Sequence, residues 1–205
     1  MALKPAEFMA RADAGAVILD TRPAEAFAGG HIPRALNVGL GSSFPTWVGT
    51  VLPEDATVIL VLDRPEDLWE AGWELLRIGY APPAGWLAGG MMAWRTSGRD
   101  IDFLPTISVH QLQQRLANGD LPILDVRQPS EWAAGHISGA SFITGAELPR
   151  RLGDVPDGEI AVVCGSGYRS SVASSLLRRE GHQVINVAGG MTAWQNAGYS
   201  TTDED

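Results

Sequence analysis

The sequence contains a single cysteine, Cys164, among 205 residues. An internal disulfide bond is therefore excluded, and a reactive thiol in a reducing compartment is favoured. No apolar run approaches the roughly 20 residues of a membrane-spanning helix, and the N-terminus lacks the unbroken apolar core of a signal peptide. We therefore expect a cytoplasmic protein.

Positive charge is also scarce, since 15 Lys and Arg residues face 24 Asp and Glu residues, for a net charge of −9. This balance argues against nucleic acid or an anionic membrane as a partner. A hydrophobic fraction of 45% is typical of a globular protein, and the length allows one or two domains. No Cys and His spacing indicates zinc, and we predict neither a metal ion nor an organic cofactor.

The cysteine lies in the most informative stretch of the chain, IAVVCGSGYRSSVASSLLRREG at 160–181. The apolar residues 160–163 predict a short buried strand, and residues 170–180 predict a helix that ends before Gly181. A glycine-containing loop from a strand into a helix gathers several backbone N–H groups around one point, with the positive end of the helix dipole behind them. This pattern predicts an anion-binding loop at 164–169.

Cys164 is the predicted nucleophile, because the loop amides, the helix dipole and Arg169 all favour a thiolate, which is the reactive form. Glycines in the loop let the backbone turn its N–H groups inward, the two serines offer hydroxyl donors, and the tyrosine shapes the mouth of the pocket. The predicted substrate-binding residues are Gly165, Ser166, Gly167, Tyr168, Arg169 and Ser170. The alternative is that the cysteine is only a small buried apolar residue.

Three ordered segments resemble those of the rhodanese sulfurtransferases. They are C-G-S-G-Y-R-S at 164–170, D-V-R at 125–127 with G-H-I-S-G-A at 135–140, and G-G-M-T-A-W at 189–194. In this family the cysteine carries a sulfane sulfur as a persulfide, and the resemblance implies the same role for Cys164. Related phosphatases and arsenate reductases use a longer C-x5-R loop, whereas Cys164 and Arg169 are spaced C-x4-R. The shorter loop favours sulfur over phosphate.

An internal repeat indicates that the domain is duplicated. I-L-D-T-R at 18–22 matches I-L-D-V-R at 123–127, G-H-I at 30–32 recurs at 135–137, and G-G-M-M-A-W at 89–94 matches 189–194. We therefore predict two rhodanese-like domains, at 1–100 and 106–205, with a linker near 99–105. Short apolar strands alternate with helices in each copy, which predicts an α/β fold with a parallel-stranded sheet and helices on both faces.

The first copy lacks the nucleophile. Alignment of Gly79 with Gly181 places Leu62 opposite Cys164, in a loop that reads L-D-R-P-E-D at 62–67. The proline removes one amide donor, and three carboxylates occupy the place of the anion. We therefore expect this domain to be non-catalytic, like the inactive rhodanese domains that accompany active ones. A metal site built from the carboxylates at 63, 66 and 67 is the alternative.

Acidic and basic residues of the D-x-R segment are expected to stabilise the fold. Asp125 and Arg127 are predicted to pair with each other or with Glu131. Because Asp20, Arg22 and Glu25 repeat these charges in the copy without a cysteine, a structural ion pair is favoured over a catalytic role. The alternative is that Arg127 reaches the rim of the site.

The resemblance implies a sulfurtransferase that moves a sulfane sulfur from a small anionic donor, thiosulfate or a low-molecular-weight persulfide, to a thiol or cyanide through a Cys164 persulfide. The tandem arrangement also resembles the rhodanese pair that accompanies persulfide dioxygenases, and implies such a dioxygenase as a partner. A non-catalytic binding or sulfur-carrier module is the alternative, and a phosphatase or arsenate reductase is less favoured.

Overall fold

The computed structural model describes residues 1–119 and 121–204. The chain divides into two compact units, Met1–Phe103 and a second unit that begins at Leu104. Residue 205, where the predicted second domain ends, lies outside the described residues. Each unit contains a five-stranded parallel sheet with helices between the strands, so the predicted α/β fold with two similar domains is confirmed.

The sheet of the first unit has the strand order β1-β5-β4-β2-β3, and all its pairings are parallel. Its central strands are fully buried and apolar except for Asp20 at the end of one of them, as a sheet covered on both sides requires. The strands are β1 (Ala2–Leu3), β2 (Val17–Asp20), β3 (Leu36–Asn37), β4 (Val58–Val61) and β5 (Gly85–Leu87). The helices are α1 (Pro5–Asp13), α2 (Ala24–Ala28), α3 (Phe44–Val51), α4 (Asp67–Arg77) and α5 (Gly90–Thr96).

The second unit repeats this topology with the parallel order β6-β10-β9-β7-β8. The strands are β6 (Thr106–Ile107), β7 (Ile123–Asp125), β8 (Ser141–Phe142), β9 (Glu159–Val163) and β10 (Gln183–Val187). The helices are α6 (Val109–Ala117), α7 (Pro129–Ala133), α8 (Tyr168–Arg179) and α9 (Gly190–Asn196), with 3₁₀ turns at Leu148–Arg150 and Leu152–Asp154. The repeat in the sequence is therefore a repeat of the whole fold.

Helix α6 illustrates how the sequence sets these elements. Ser108 accepts a hydrogen bond from the Gln111 N–H at 3.2 Å, and the Gln111 side chain accepts one from the Ser108 N–H at 2.9 Å. This capping box fixes the helix start, and Val109 and Leu112 then face the core of the unit. Within residues 1–119 and 121–204, no helix has both the length and the apolar character needed to cross a bilayer.

The D-x-R segments form a buried ion pair in both units. Arg127 Nη2 lies 2.7 Å from Asp125 Oδ2 and donates to the Gly135 carbonyl at 2.9 Å. Arg22 makes the same bonds with Asp20, at 2.6 Å, and with the carbonyl eight residues further on, at 3.0 Å. Of the two pairings predicted for this segment, the structure contains the internal one, which links the D-x-R motif to the start of the G-H-I motif.

Candidate active site

The cysteine loop lies at the carboxyl end of strand β9, the edge of a parallel sheet where ligand sites form. Strand β9 ends at Val163, as predicted, and Cys164 follows it. Helix α8 begins at Tyr168, two residues earlier than predicted, because Gly167 adopts a left-handed conformation (φ 110°) and serves as the N-cap. The loop is thereby shortened to four residues between the strand and the helix.

The sulfur of Cys164 is enclosed by the loop that follows it. Its Sγ accepts a hydrogen bond from the Gly167 N–H at 3.1 Å, and the residue is only 1% exposed. The thiol lies 3.4 Å from Ser170 Oγ, to which it donates, and the Ser170 hydroxyl donates to the Gly167 carbonyl at 3.1 Å. Once the thiol is ionised, the same hydroxyl can turn and donate to the sulfur, because a hydroxyl hydrogen rotates freely.

The other loop residues predicted to bind substrate take different positions. Ser166 lies exposed, without the contact to sulfur that Ser170 makes. Tyr168 is half-buried at the first position of α8, and burial raises the pKa of its phenol to about 12. The phenol therefore stays neutral at physiological pH and does not compete with an anion for the loop.

Arg169 is held by a carboxylate that the sequence had not assigned to the site. Its Nη1 lies 2.5 Å from Glu131 Oε2, and its Nη2 lies 2.7 Å from Glu131 Oε1. These hydrogen bonds lower the pKa of Glu131 from 4.5 to about 2, against the opposing effect of burial. The positive charge expected to serve the anion is therefore shared with a permanently ionised carboxylate.

Glu131 was missed because it lies 33 residues before the cysteine, on a different helix. It reaches the loop because strand β7, which precedes its helix α7, pairs with β9. A signal was nevertheless present in the sequence. Six residues after the aspartate of the D-x-R motif, the second copy has Glu131 whereas the first copy has Ala26.

The G-G-M-T-A-W segment forms backbone hydrogen bonds with the cysteine loop. The Met191 N–H donates to the Cys164 carbonyl at 2.7 Å, and the Thr192 N–H donates to the Gly165 carbonyl at 2.9 Å. Gly190 makes this approach possible, because a Cβ atom at that position would overlap the Cys164 carbonyl group. Its φ of 53° is also in the left-handed region that favours glycine.

Gly190→Ala should therefore displace the cysteine loop. We expect the free energy of unfolding to fall by about 2 to 3 kcal/mol, the combined cost of left-handed strain and overpacking, measured by urea denaturation. Gly198→Ala is the matched control, because Gly198 also has a positive φ of 75° but no atom within 4 Å of an added Cβ. It should lose only about 1 kcal/mol from strain. Equal losses in the two variants would contradict the steric argument.

The first unit has no cysteine at the equivalent position. Pairing of Asp20 with Val61 and of Asp125 with Val163 places Leu62 where Cys164 stands. Leu62 is buried, and the loop that follows contains Pro65, which has no N–H to donate. Within residues 1–119 and 121–204 no group of three or more His, Cys, Asp or Glu side chains is arranged to bind a metal ion, and the carboxylates at 63, 66 and 67 form no such group.

Comparison with known proteins identifies the fold. The family described as "Rhodanese-like domain" matches residues 4–97 and 108–197. A protein named "Sulfurtransferase" from Allochromatium vinosum is 36% identical over 95 residues, which cover 45% of this chain and 89% of that protein. The "Thiosulfate sulfurtransferase GlpE" of Pseudoalteromonas translucida is 35% identical over 96 residues, which cover 46% of this chain and 90% of that protein.

One longer relative and one solved structure are also similar to parts of the chain. The "Putative sulfur carrier protein YrkF" of Bacillus subtilis is 34% identical over 101 residues, so the chain spans about half of it (55%) while 48% of the chain is covered. The rhodanese-related protein of Thermoplasma volcanium is 30% identical, covers 49% of the chain and 99% of its own length, and superposes with a TM-score of 0.46. Because the family matches most of the length of this chain, the chain belongs to the rhodanese-like domain family and contains two such domains.

Proposed function

We propose that the second unit is a sulfurtransferase in which Cys164 carries a sulfane sulfur as a persulfide. The observation that carries this proposal is the position of Sγ, which receives the Gly167 N–H at 3.1 Å and lies beside the Ser170 hydroxyl. Both groups can stabilise an anionic sulfur. Similarity to proteins named sulfurtransferases supports the same class of reaction.

The first half-reaction loads the cysteine. The Cys164 thiolate attacks the outer sulfur of thiosulfate, a new S–S bond forms, and the old S–S bond breaks with its electron pair leaving on sulfite. A low-molecular-weight persulfide reacts in the same way and releases its thiolate. The loop amide and the hydroxyl then hold the terminal sulfur of the Cys164 persulfide, whose negative charge equals that of the thiolate it replaces.

The second half-reaction transfers the sulfur from Cys164 to an acceptor. A thiol or cyanide attacks the terminal sulfur, the S–S bond of the persulfide breaks, and its electron pair returns to Cys164 as thiolate. Cyanide leaves as thiocyanate, so atoms and charge balance without an external oxidant or reductant. Alternating loading and unloading gives ping-pong kinetics. Because the cycle needs the thiol reduced, we place it in the cytoplasm, with a persulfide dioxygenase as the proposed partner in persulfide turnover.

We propose that the first unit is non-catalytic, because Leu62 occupies the position of the nucleophile. Asp67 stands where the second unit has Arg169, and it is paired with Arg64 at 2.8 Å. This pair is neutral, but Asp63 and Glu66 leave the loop with a net negative charge, which disfavours the binding of an anionic donor.

The proposal is tested by the mass of the intact protein after incubation with thiosulfate and, separately, with glutathione persulfide. We expect the mass to increase by one sulfur atom and the increase to disappear after treatment with cyanide. Protein previously alkylated at Cys164 is the control and should gain nothing, since the chain has no other thiol. Folded, reduced protein that gains no sulfur from either donor would exclude the proposal and favour a binding module.

A further inference from the structure

The two copies of the fold serve as a comparison between a unit with a cysteine and a unit without one. At equivalent positions, Cys164 corresponds to Leu62, Arg169 to Asp67 and Glu131 to Ala26. The buried Asp-Arg pair of the D-x-R motif is retained in both units. In this chain the ion pair between Glu131 and Arg169 therefore occurs in the unit that has the thiol and is missing from the unit that lacks it.

The geometry shows what this ion pair does to Arg169. Both carboxylate oxygens of Glu131 bind the terminal nitrogens of the guanidinium, which fixes its plane and direction. The guanidinium lies against the Gly165 backbone so closely that a Cβ atom there would be 2.8 Å from Arg169 Nη2 and 3.4 Å from Glu131 Oε1. Arg169 also interacts with Cys164, both through its charge and through a side-chain hydrogen bond, so one cation connects the carboxylate to the sulfur.

We propose that Glu131 is a positioning residue of the sulfur-transfer site, which holds Arg169 along the Gly165 peptide and limits how strongly its charge pairs with the sulfur anion. This inference rests on the proposed function. A free guanidinium would bind the thiolate or the anionic donor directly and stabilise the ground state more than the transition state. With Arg169 held, the Gly167 amide and the Ser170 hydroxyl stabilise the sulfur.

The charges around the sulfur define the expected effect of removing Glu131. Arg169 faces Cys164 from helix α8, and Glu131 faces the loop from α7. Arg127, which is paired with Asp125, also acts electrostatically on Glu131. Because the Asp125 pair is internally neutral, loss of Glu131 leaves one uncompensated positive charge beside the thiol. Such a charge favours the thiolate and the binding of an anionic donor.

The test compares Glu131→Gln with Glu131→Asp and with Glu159→Gln. Glu159 forms an exposed ion pair with Arg115 at 2.8 Å and provides the same chemical change away from the loop. In Glu131→Gln we expect the pH midpoint of Cys164 alkylation by iodoacetamide to move about 0.5 to 1 pH unit lower. With thiosulfate and cyanide we expect KM to fall about 5-fold and kcat to fall about 10-fold. Glu131→Asp should restore the midpoint, since the charge is kept.

The outcomes separate the inference from the proposed function. A Glu131→Gln protein whose alkylation midpoint, KM and kcat match those of Glu159→Gln would overturn the positioning role, even if its melting temperature fell. Alkylation does not depend on sulfur transfer, so its midpoint tests the electrostatic link from Glu131 to Cys164 even in a protein that takes up no sulfur. In an Arg169→Lys background, where a bidentate pair cannot form, Glu131→Gln should change kcat less than 2-fold. If Glu131→Gln lowers kcat as much in this background as in the wild type, the inference is also overturned.

Discussion

A Cys164→Ser protein will take up no sulfur from thiosulfate or from glutathione persulfide, and its kcat/KM with cyanide as acceptor will fall by at least about 10⁴-fold. The serine hydroxyl is a far weaker nucleophile at neutral pH and cannot form the S–S bond on which the proposed cycle depends. No other thiol remains, because the chain has a single cysteine. The measurements are intact mass and the rate of thiocyanate formation.

The fold of this variant should be preserved. Serine Oγ can accept the Gly167 N–H in place of sulfur, and it has a neighbour in the Ser170 hydroxyl. Unchanged circular dichroism and a melting temperature close to that of the wild type are the control for the loss of activity. Retention of more than about 1% of wild-type turnover would place the chemistry elsewhere, and the first unit would no longer be regarded as non-catalytic.

Local features of the cysteine loop could be predicted from the sequence because they depend on neighbouring residues. An apolar run marks strand β9, the glycines permit the turn, and Cys164 has to lie between the strand and the helix. The helix start was wrong by two residues. Gly167 in a left-handed conformation is the N-cap, so α8 begins at Tyr168 instead of at Ser170.

Contacts between distant segments could not be predicted in the same way. The pair of Glu131 with Arg169 depends on the strand order that brings α7 next to the cysteine loop, and no local pattern specifies that order. The edge strands β1 and β6 were also not predicted, because each has only two residues and shows no periodicity. The presence of two copies of one fold partly makes up for this missing information about distant contacts. Positions that differ together between the copies indicate which residues act together.

The buried ion pair of the first unit gives the other large expected effect. Arg22→Met should reduce the free energy of unfolding at pH 7 by about 3 to 5 kcal/mol, because Asp20 is then left buried without its cation. The double variant Asp20→Asn/Arg22→Met removes the charge as well and should recover most of the loss. Urea denaturation measures the free energy of unfolding of both variants. A chain of two units need not unfold in a single step, so the value is taken from the transition of the first unit.

The pH dependence of Arg22→Met distinguishes an unpaired charge from lost packing. Burial raises the pKa of Asp20 above 3.8 even though Arg22 opposes it, so removal of Arg22 should raise this pKa further. The folded state then binds more protons than the unfolded state above pH 3.8, and stability falls as the pH rises from there towards the folded-state pKa. The loss should therefore be smaller at pH 4.5 than at pH 7. The same loss at both pH values would show that Arg22 contributes mainly through packing.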